Sequence, residues 1–168
     1  SLGDIVTSRS VRMAGDNFDN AISQYIKRKY NLLIGERSAE AIKMTIGSAF
    51  PFEEELEMEI KGRNLVDGLP LNVEITSEEV RDALSDAVKQ IIDAVRTALE
   101  NTPPELYADI VKNGIWLAGG GALLRGLDKR LRDKINIPFH IAEDPLHSVA
   151  RGTGIALKNV DKFSFLMR

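Results

Sequence analysis

The chain has 168 residues, with 22 Lys and Arg against 25 Asp and Glu, a net charge of -3, 43% hydrophobic and 28% charged residues, and no cysteine. That balance is globular rather than disordered, and it argues against a nucleic-acid binder, which would present a basic face. The missing cysteines exclude a disulfide framework, a thiolate nucleophile and a cysteine-based metal site, and no apolar run approaches the roughly 18 residues that span a bilayer.

The first elements follow from short-range patterns. Gly3-Asp4 reads as a hairpin dipeptide with a strand before it, so the chain is expected to be a piece of something longer. Ile5-Val6-Thr7 and Ser10-Val11-Arg12-Met13 alternate in part and read as a strand closed by Ala14-Gly15. Asp16 is expected to cap a helix over about 17 to 29, with Phe18, Ala21, Ile22, Tyr25 and Ile26 on one face. Lys27, Arg28 and Lys29 fall in its last turn, where they complement the helix dipole, and read as a solvated end. Leu32-Leu33-Ile34-Gly35 reads as a connector. Ser38 is expected to cap a second helix over about 39 to 49, with Ala39, Ile42, Ile46 and Ala49 inward. Glu40 and Lys43 are three residues apart on its surface, and by themselves read as an ordinary surface ion pair.

In the next stretch Leu56, Met58 and Ile60 alternate with Glu57, Glu59 and Lys61, which predicts a half-exposed strand. Glu53-Glu54-Glu55 reads with these glutamates as a wet face. Arg63 to Gly68 reads as the turn, and Leu71, Val73 and Ile75 mark an antiparallel partner strand. Thr76 and Glu79 have capping-box spacing. Apolar residues then recur at three and four from Val80 to Leu99, which predicts one helix of about 24 residues and a core-facing stripe. Asn101 and Pro103-Pro104 stop it, and Pro104 opens a short helix over Glu105 to Lys112.

The densest signal comes next: Ile115-Trp116-Leu117-Ala118 reads as a buried strand, followed by Gly119-Gly120-Gly121 and a helix from about Ala122 to Asp133. Two readings stay open for the three glycines: a tight turn, or a close approach of backbone to a phosphate or a flat base. Pro138 to Ala142 reads as another short strand. Pro145 opens a last helix that packs through Leu146, Val149, Ala150, Gly154, Ile155 and Leu157. Gly152 and Gly154 within it suggest close approach to a strand or ligand. The tail from Phe163 to Arg168 is apolar. His140 and His147 lack companions at metal-site spacing, so no metal site and no catalytic residue is assigned.

Several of these stretches in register resemble the MreB family of bacterial actins. They are Ser1-Leu2-Gly3 to Ala14-Gly15-Asp16, Gly35 to Lys43, Leu99 to Leu106, the glycine element, and Glu143-Asp144-Pro145-Leu146 with Gly152. The resemblance implies an α/β fold: an actin-like ATPase domain of ribonuclease H-like type. It covers only the second half of such a protein, with a partial IIA sheet, flanking helices and a small α+β IIB subdomain. Residues 1–50 and 103–168 would belong to subdomain IIA, 51–76 to the IIB strand pair, and 77–102 to the long helix leading back. It also implies that adenosine of ATP lies against Gly119, Gly120 and Gly121. Glu40 and Lys43 would supply polar contacts to ribose and adenine, and Gly15 would sit where the chain turns toward the cleft.

The family's phosphate loops and catalytic acids would precede residue 1, as would the first strands of the IIA sheet. This chain alone is therefore not expected to hydrolyse ATP, which needs Mg²⁺ and positioned water in the complete protein. The gap left in the sheet is expected to leave open edges. The implied function is a cytoskeletal protein forming ATP-dependent filaments at the inner face of the cytoplasmic membrane, setting rod shape and guiding cell-wall synthesis. The implied partners are further copies of itself, a membrane-anchored RodZ-type adaptor and the wall-elongation machinery. Membrane contact would run through parts absent here, and no nucleic acid is expected. The alternative is an enzymatic or chaperone ATPase of the actin, sugar-kinase and heat-shock superfamily.

Overall fold

The computed structural model of the chain describes residues 5–13 and 15–160. The readings of Gly3-Asp4, of Ala14 and of the tail fall outside these residues. Residues 5–13 form no strand, and Ile5, Val6 and Val11 are exposed. Alternation says which face a strand would bury, but a strand exists only with a ladder partner, and none of the described strands pairs with this one.

Helix α1, Gly15–Tyr30, buries Phe18, Ile22 and Ile26. Asp16 lies inside its first turn, where its charge still favours the dipole, and so does not cap it. Leu32–Leu33 is strand β1 and not merely a connector. Two residues carry no period; only their ladder with the later strand pair defines them. Helix α2, Glu36–Ile46, buries Ala39, Ile42 and Ile46. It starts ahead of the expected cap, because the Gly35 carbonyl accepts from the amides of Ser38 and Ala39. It ends before Gly47, so Ala49 is buried outside it.

Strands β2, Glu57–Asn64, and β3, Pro70–Thr76, pair antiparallel, with Ile60 opposite Val73 and Glu59 opposite Glu74. Sheet order is β1-β2-β3. Ile60 and Ile75 face the core, while Glu57, Glu59 and Glu74 face water. A hydrogen bond that the Glu74 carboxyl donates to Glu57, with the Glu57 and Glu59 charges, pushes Glu74 above its ordinary value. Glu55 is exposed, as the wet-face reading has it, but it is also paired. It accepts from the Ser77 hydroxyl and, at 2.7 Å, from the Arg81 guanidinium, and these bonds hold it below the ordinary range.

Helix α3, Ser77–Glu100, has the 24 residues that the periodic stripe predicts. The Thr76 hydroxyl accepts from the Glu79 amide at 3.3 Å, and the Glu79 carboxylate accepts from the Thr76 amide at 2.9 Å, which completes the capping box. Val80, Leu84, Ala87, Val88 and Ile92 form its inner stripe. The core is continuous from this stripe to α1 and α2, and onward to Leu127, Leu131 and Phe139.

Helix α4, Pro104–Asn113, leads to strand β4, Ile115–Leu117. Strand β4 pairs in parallel with β5, Phe139–Ile141, with Ile115 opposite Phe139. The glycines do not open an α-helix. Gly120–Leu123 is a single 3₁₀ turn, and helix α5, Leu127–Ile135, begins only after Gly126, whose φ of 70° lies in the left-handed region. Leu123 is exposed. Helix α6, Ser148–Lys158, starts beyond Pro145 and buries no residue among those described. A Cβ on Gly152 or Gly154 would meet no described atom within 4 Å, so no described strand approaches them, and Leu146, Val149, Ile155 and Leu157 of the expected packing side are exposed. Parallel β4 and β5 with helices on either side in sequence form a partial α/β sheet whose edges stay open among the described residues.

Candidate functional site

The site is built from α1, α2 and the glycine run. Helix α2 carries Glu40 exposed and Lys43 half-buried on neighbouring turns. Lys43 does not pair with Glu40. Its ammonium lies 2.9 Å from Asp19 Oδ1 and 3.0 Å from Oδ2 on α1, with both side chains less than one-fifth exposed. A Cβ added to Gly15 would sit 3.5 Å from the same Nζ. Gly15 and Lys43 are therefore brought together at the N-terminal end of α1, as neighbours in space that the sequence only implied.

The glycine run is held from two sides. The Gly119 amide donates to the Pro145 carbonyl at 2.7 Å, and the Ala142 amide donates to Leu117 at 2.9 Å, which lays the loop after β5 against the run. In that loop the His147 imidazole, 2.9 Å from Asp144, holds the Asp144 carboxyl below its ordinary value. On the other side, the Ala49 amide donates to the Arg125 carbonyl at 2.8 Å, and Ser48 forms a parallel bridge with Arg125. The Arg125 guanidinium returns to the Thr45 carbonyl at 2.9 Å. The last turn of α2 is thus stitched to the segment that follows the glycines.

The three glycines differ in what the fold asks of them. Gly119 has φ 82°, which favours glycine on backbone grounds alone. Gly120 and Gly121 do not have positive φ. A Cβ on Gly120 would make an ordinary 3.4 Å contact with Leu146, and one on Gly121 would meet nothing described within 4 Å. The described fold does not itself require glycine at these two positions. Open backbone at these two positions leaves room for a flat group to lie against the main chain.

A cavity of about 460 Å³ lies elsewhere, between α3 and α5, lined by Val88, Lys89, Ile92 and Arg130 among others. None of Gly15, Glu40, Lys43 or the three glycines lines it. No group of three or more His, Asp or Glu among the described residues is placed to hold a metal, and no described helix is long and apolar enough to cross a membrane. Sequence reasoning missed Asp19, which is 24 residues from Lys43, and Arg125, which is 80 from Thr45. No local spacing signals either pair.

The family model for MreB/Mbl protein matches residues 1–165. The chain belongs to the MreB/Mbl family. The cell shape-determining protein Mbl of Bacillus cereus is 52% identical over 162 residues, covering 96% of this chain and 49% of the relative. The cell shape-determining protein MreB of Escherichia coli is 50% identical over 161 residues, covering 96% of this chain and 46% of the relative. The crystal structure of MreB5 of Spiroplasma citri bound to ADP superposes with a TM-score of 0.91 at 47% identity, over 95% of this chain and 48% of the other. This MreB/Mbl chain therefore has the actin-like fold, and it spans about half the length of the curated relatives it matches.

Proposed function

We propose that this chain is the adenosine-binding half of an actin-like protein that assembles into ATP-dependent filaments and determines cell shape. One observation carries the reading: Gly120 and Gly121 are glycines that the described fold does not itself require, and the segment that follows them is stitched at Arg125 to the last turn of the helix bearing Glu40 and Lys43. In this reading the base lies against Gly119, Gly120 and Gly121. Glu40 accepts from ribose hydroxyls, Lys43 donates to ribose or base, and Gly15 lets the chain pass close to the ligand. The family supports it: a relative named as cell shape-determining, and a similar structure bound to ADP. The division into IIA at 1–50 and 103–168 and IIB at 51–102 belongs to the same proposal. So do Mg²⁺ at the phosphates, a site at the inner face of the cytoplasmic membrane, a membrane-anchored RodZ-type adaptor and the guidance of wall synthesis. Bound ATP supplies the phosphoanhydride whose hydrolysis would time assembly. The residues of this chain bind and orient the nucleoside, and the chain alone is not expected to hydrolyse it.

The test is calorimetric titration of ATP into this chain and into a form extended upstream to the length of its relatives. Binding by the extended form, lost in Gly120→Val with the fold retained, supports the reading. Wild-type binding that survives both Gly120→Val and Gly121→Val removes the glycine run from the site. Pelleting of the extended form with ATP then tests assembly: polymer supports a filament, and a soluble ATPase stimulated by sugar or peptide overturns it.

A further inference from the structure

Resting on that nucleoside reading, we infer that Asp19 is a positioning residue, which aims the Lys43 ammonium and cancels its charge so that the subsite recognises the nucleoside rather than its phosphates. The geometry is specific. Asp19 sits one turn into α1, and its two carboxylate oxygens lie 2.9 and 3.0 Å from Lys43 Nζ. Only the Oδ2 contact has hydrogen-bond geometry, whereas Oδ1 is sealed from solvent and accepts no hydrogen bond. Attraction to Nζ is therefore what compensates Oδ1 for lost water.

The side chains are 18% and 17% exposed, so neither is free to swing as a surface lysine would. Nζ also faces Gly15, in the first turn of α1, where the helix dipole already places partial positive charge. An uncompensated ammonium at that end would attract any anion, and phosphate above all. With Asp19 beside it the pair is formally neutral. An ammonium has three N–H donors, and at least one can still point at a neutral acceptor such as a ribose hydroxyl or a ring nitrogen. Glu40, exposed and three residues back on α2, forms no ion pair among the described residues and is left to accept from hydroxyls. The arrangement offers one donor set and one acceptor with little net positive charge, which suits a sugar and base.

The experiment compares adenosine with ADP, by calorimetry at two salt concentrations, in the upstream-extended form. The variants are Asp19→Asn, Asp19→Ala and Gly120→Val, each checked for folding by urea titration. Asp19→Asn keeps an acceptor for Nζ and removes the charge. It should leave adenosine affinity within about twofold and tighten ADP roughly threefold or more at low salt, with a steeper salt dependence. Asp19→Ala releases the ammonium and should weaken adenosine about tenfold.

Equal losses for adenosine and ADP in Asp19→Asn would show a merely structural residue and overturn the inference. Unchanged affinities and selectivity in both Asp19 variants would do the same, while loss of binding in Gly120→Val left the nucleoside reading standing. If Asp19→Ala does not fold, the adenosine-to-ADP ratio in Asp19→Asn decides alone. Wild-type protein that binds neither ligand overturns both readings together.

Discussion

The amide of Ala49 donates to the carbonyl of Arg125 at 2.8 Å, joining chain that follows α2 to chain that follows the glycine run across 76 residues of sequence. The join has no slack. Gly126 has φ 70°, and a Cβ there would sit 2.7 Å from the Phe50 Cβ. Gly126→Ala meets both a left-handed backbone penalty and an overlap, so a loss of about 2–4 kcal/mol in unfolding free energy is expected. Gly121→Ala, in open space at an ordinary φ, should stay within about 0.5 kcal/mol of wild type. Urea titration of the two variants side by side checks the contrast; equal stabilities would show that the join does not depend on Gly126.

Glu79 ties the end of α1 to the start of α3. It takes the Lys29 ammonium, the Tyr30 hydroxyl at 2.5 Å and the Thr76 amide. Burial raises its carboxyl, but the bonds from Lys29 and Tyr30 outweigh that and hold it below 4.5. A lowered carboxyl stabilises the fold above its unfolded value, and that contribution fades as pH falls through the folded one. Lys29 is shifted up from 10.5 by the hydrogen bond to Glu79, so its share is full below 10.5 and fades as pH rises through the folded value. Wild-type stability should therefore drop below about pH 4.5 and again above about 10.5, and Glu79→Gln should flatten the acid limb. Unfolding midpoints at a series of pH values measure this; identical acid limbs in the two proteins would exclude Glu79 as a contributor.

Glu74 has the opposite sign. Glu57 and Glu59 raise its carboxyl above 4.5, so it opposes folding once it is charged. A raised group contributes stability below its unfolded value and loses it as pH rises through the folded one. Glu74→Gln is expected to raise the melting temperature at pH 7 and to leave it unchanged near pH 3. Added salt should shrink the difference, because the three carboxylates face water. Calorimetric melting at both pH values decides it: a variant that melts lower at pH 7 removes the repulsion argument.

Thr76→Ala deletes the hydroxyl that accepts from the Glu79 amide, and a loss of about 1 kcal/mol is expected. Ile42→Ala removes a fully buried side chain where α2 meets the core, and should cost about 2–5 kcal/mol. Amide exchange locates the two effects: Thr76→Ala should lower protection mainly in the first turn of α3, while Ile42→Ala should lower it across the core. Indistinguishable exchange maps would mean that the cap is not a local feature.

Long elements were legible in the sequence. The stripe from Val80 to Ile92, the capping box at Thr76 and Glu79, and the alternation of β2 and β3 all follow from contacts within one helix turn or across one hairpin. The run of glycines was visible too, because glycine is defined by what it lacks. Five segments in register sufficed for the family resemblance, and the family model bears it out. What stayed hidden depended on partners far along the chain. Alternation at 5–13 did not make a strand, since a ladder needs a second strand. Two residues at β1 were a strand for the converse reason. The helix expected at Ala122 was delayed to Leu127 because Arg125 is held by Ala49 and Thr45, and Gly126 turns left-handed against Phe50. On its own helix Lys43 has Glu40 as a neighbour; only the packing of α1 on α2 gives it Asp19. Helix periods and caps are properties of a few consecutive residues and can be read from them directly. The partners of β1 and β4, the join at Arg125 and the pairing of Lys43 with Asp19 span 24 to 80 residues and arise only when the chain folds, because burial selects the partner and charge follows burial.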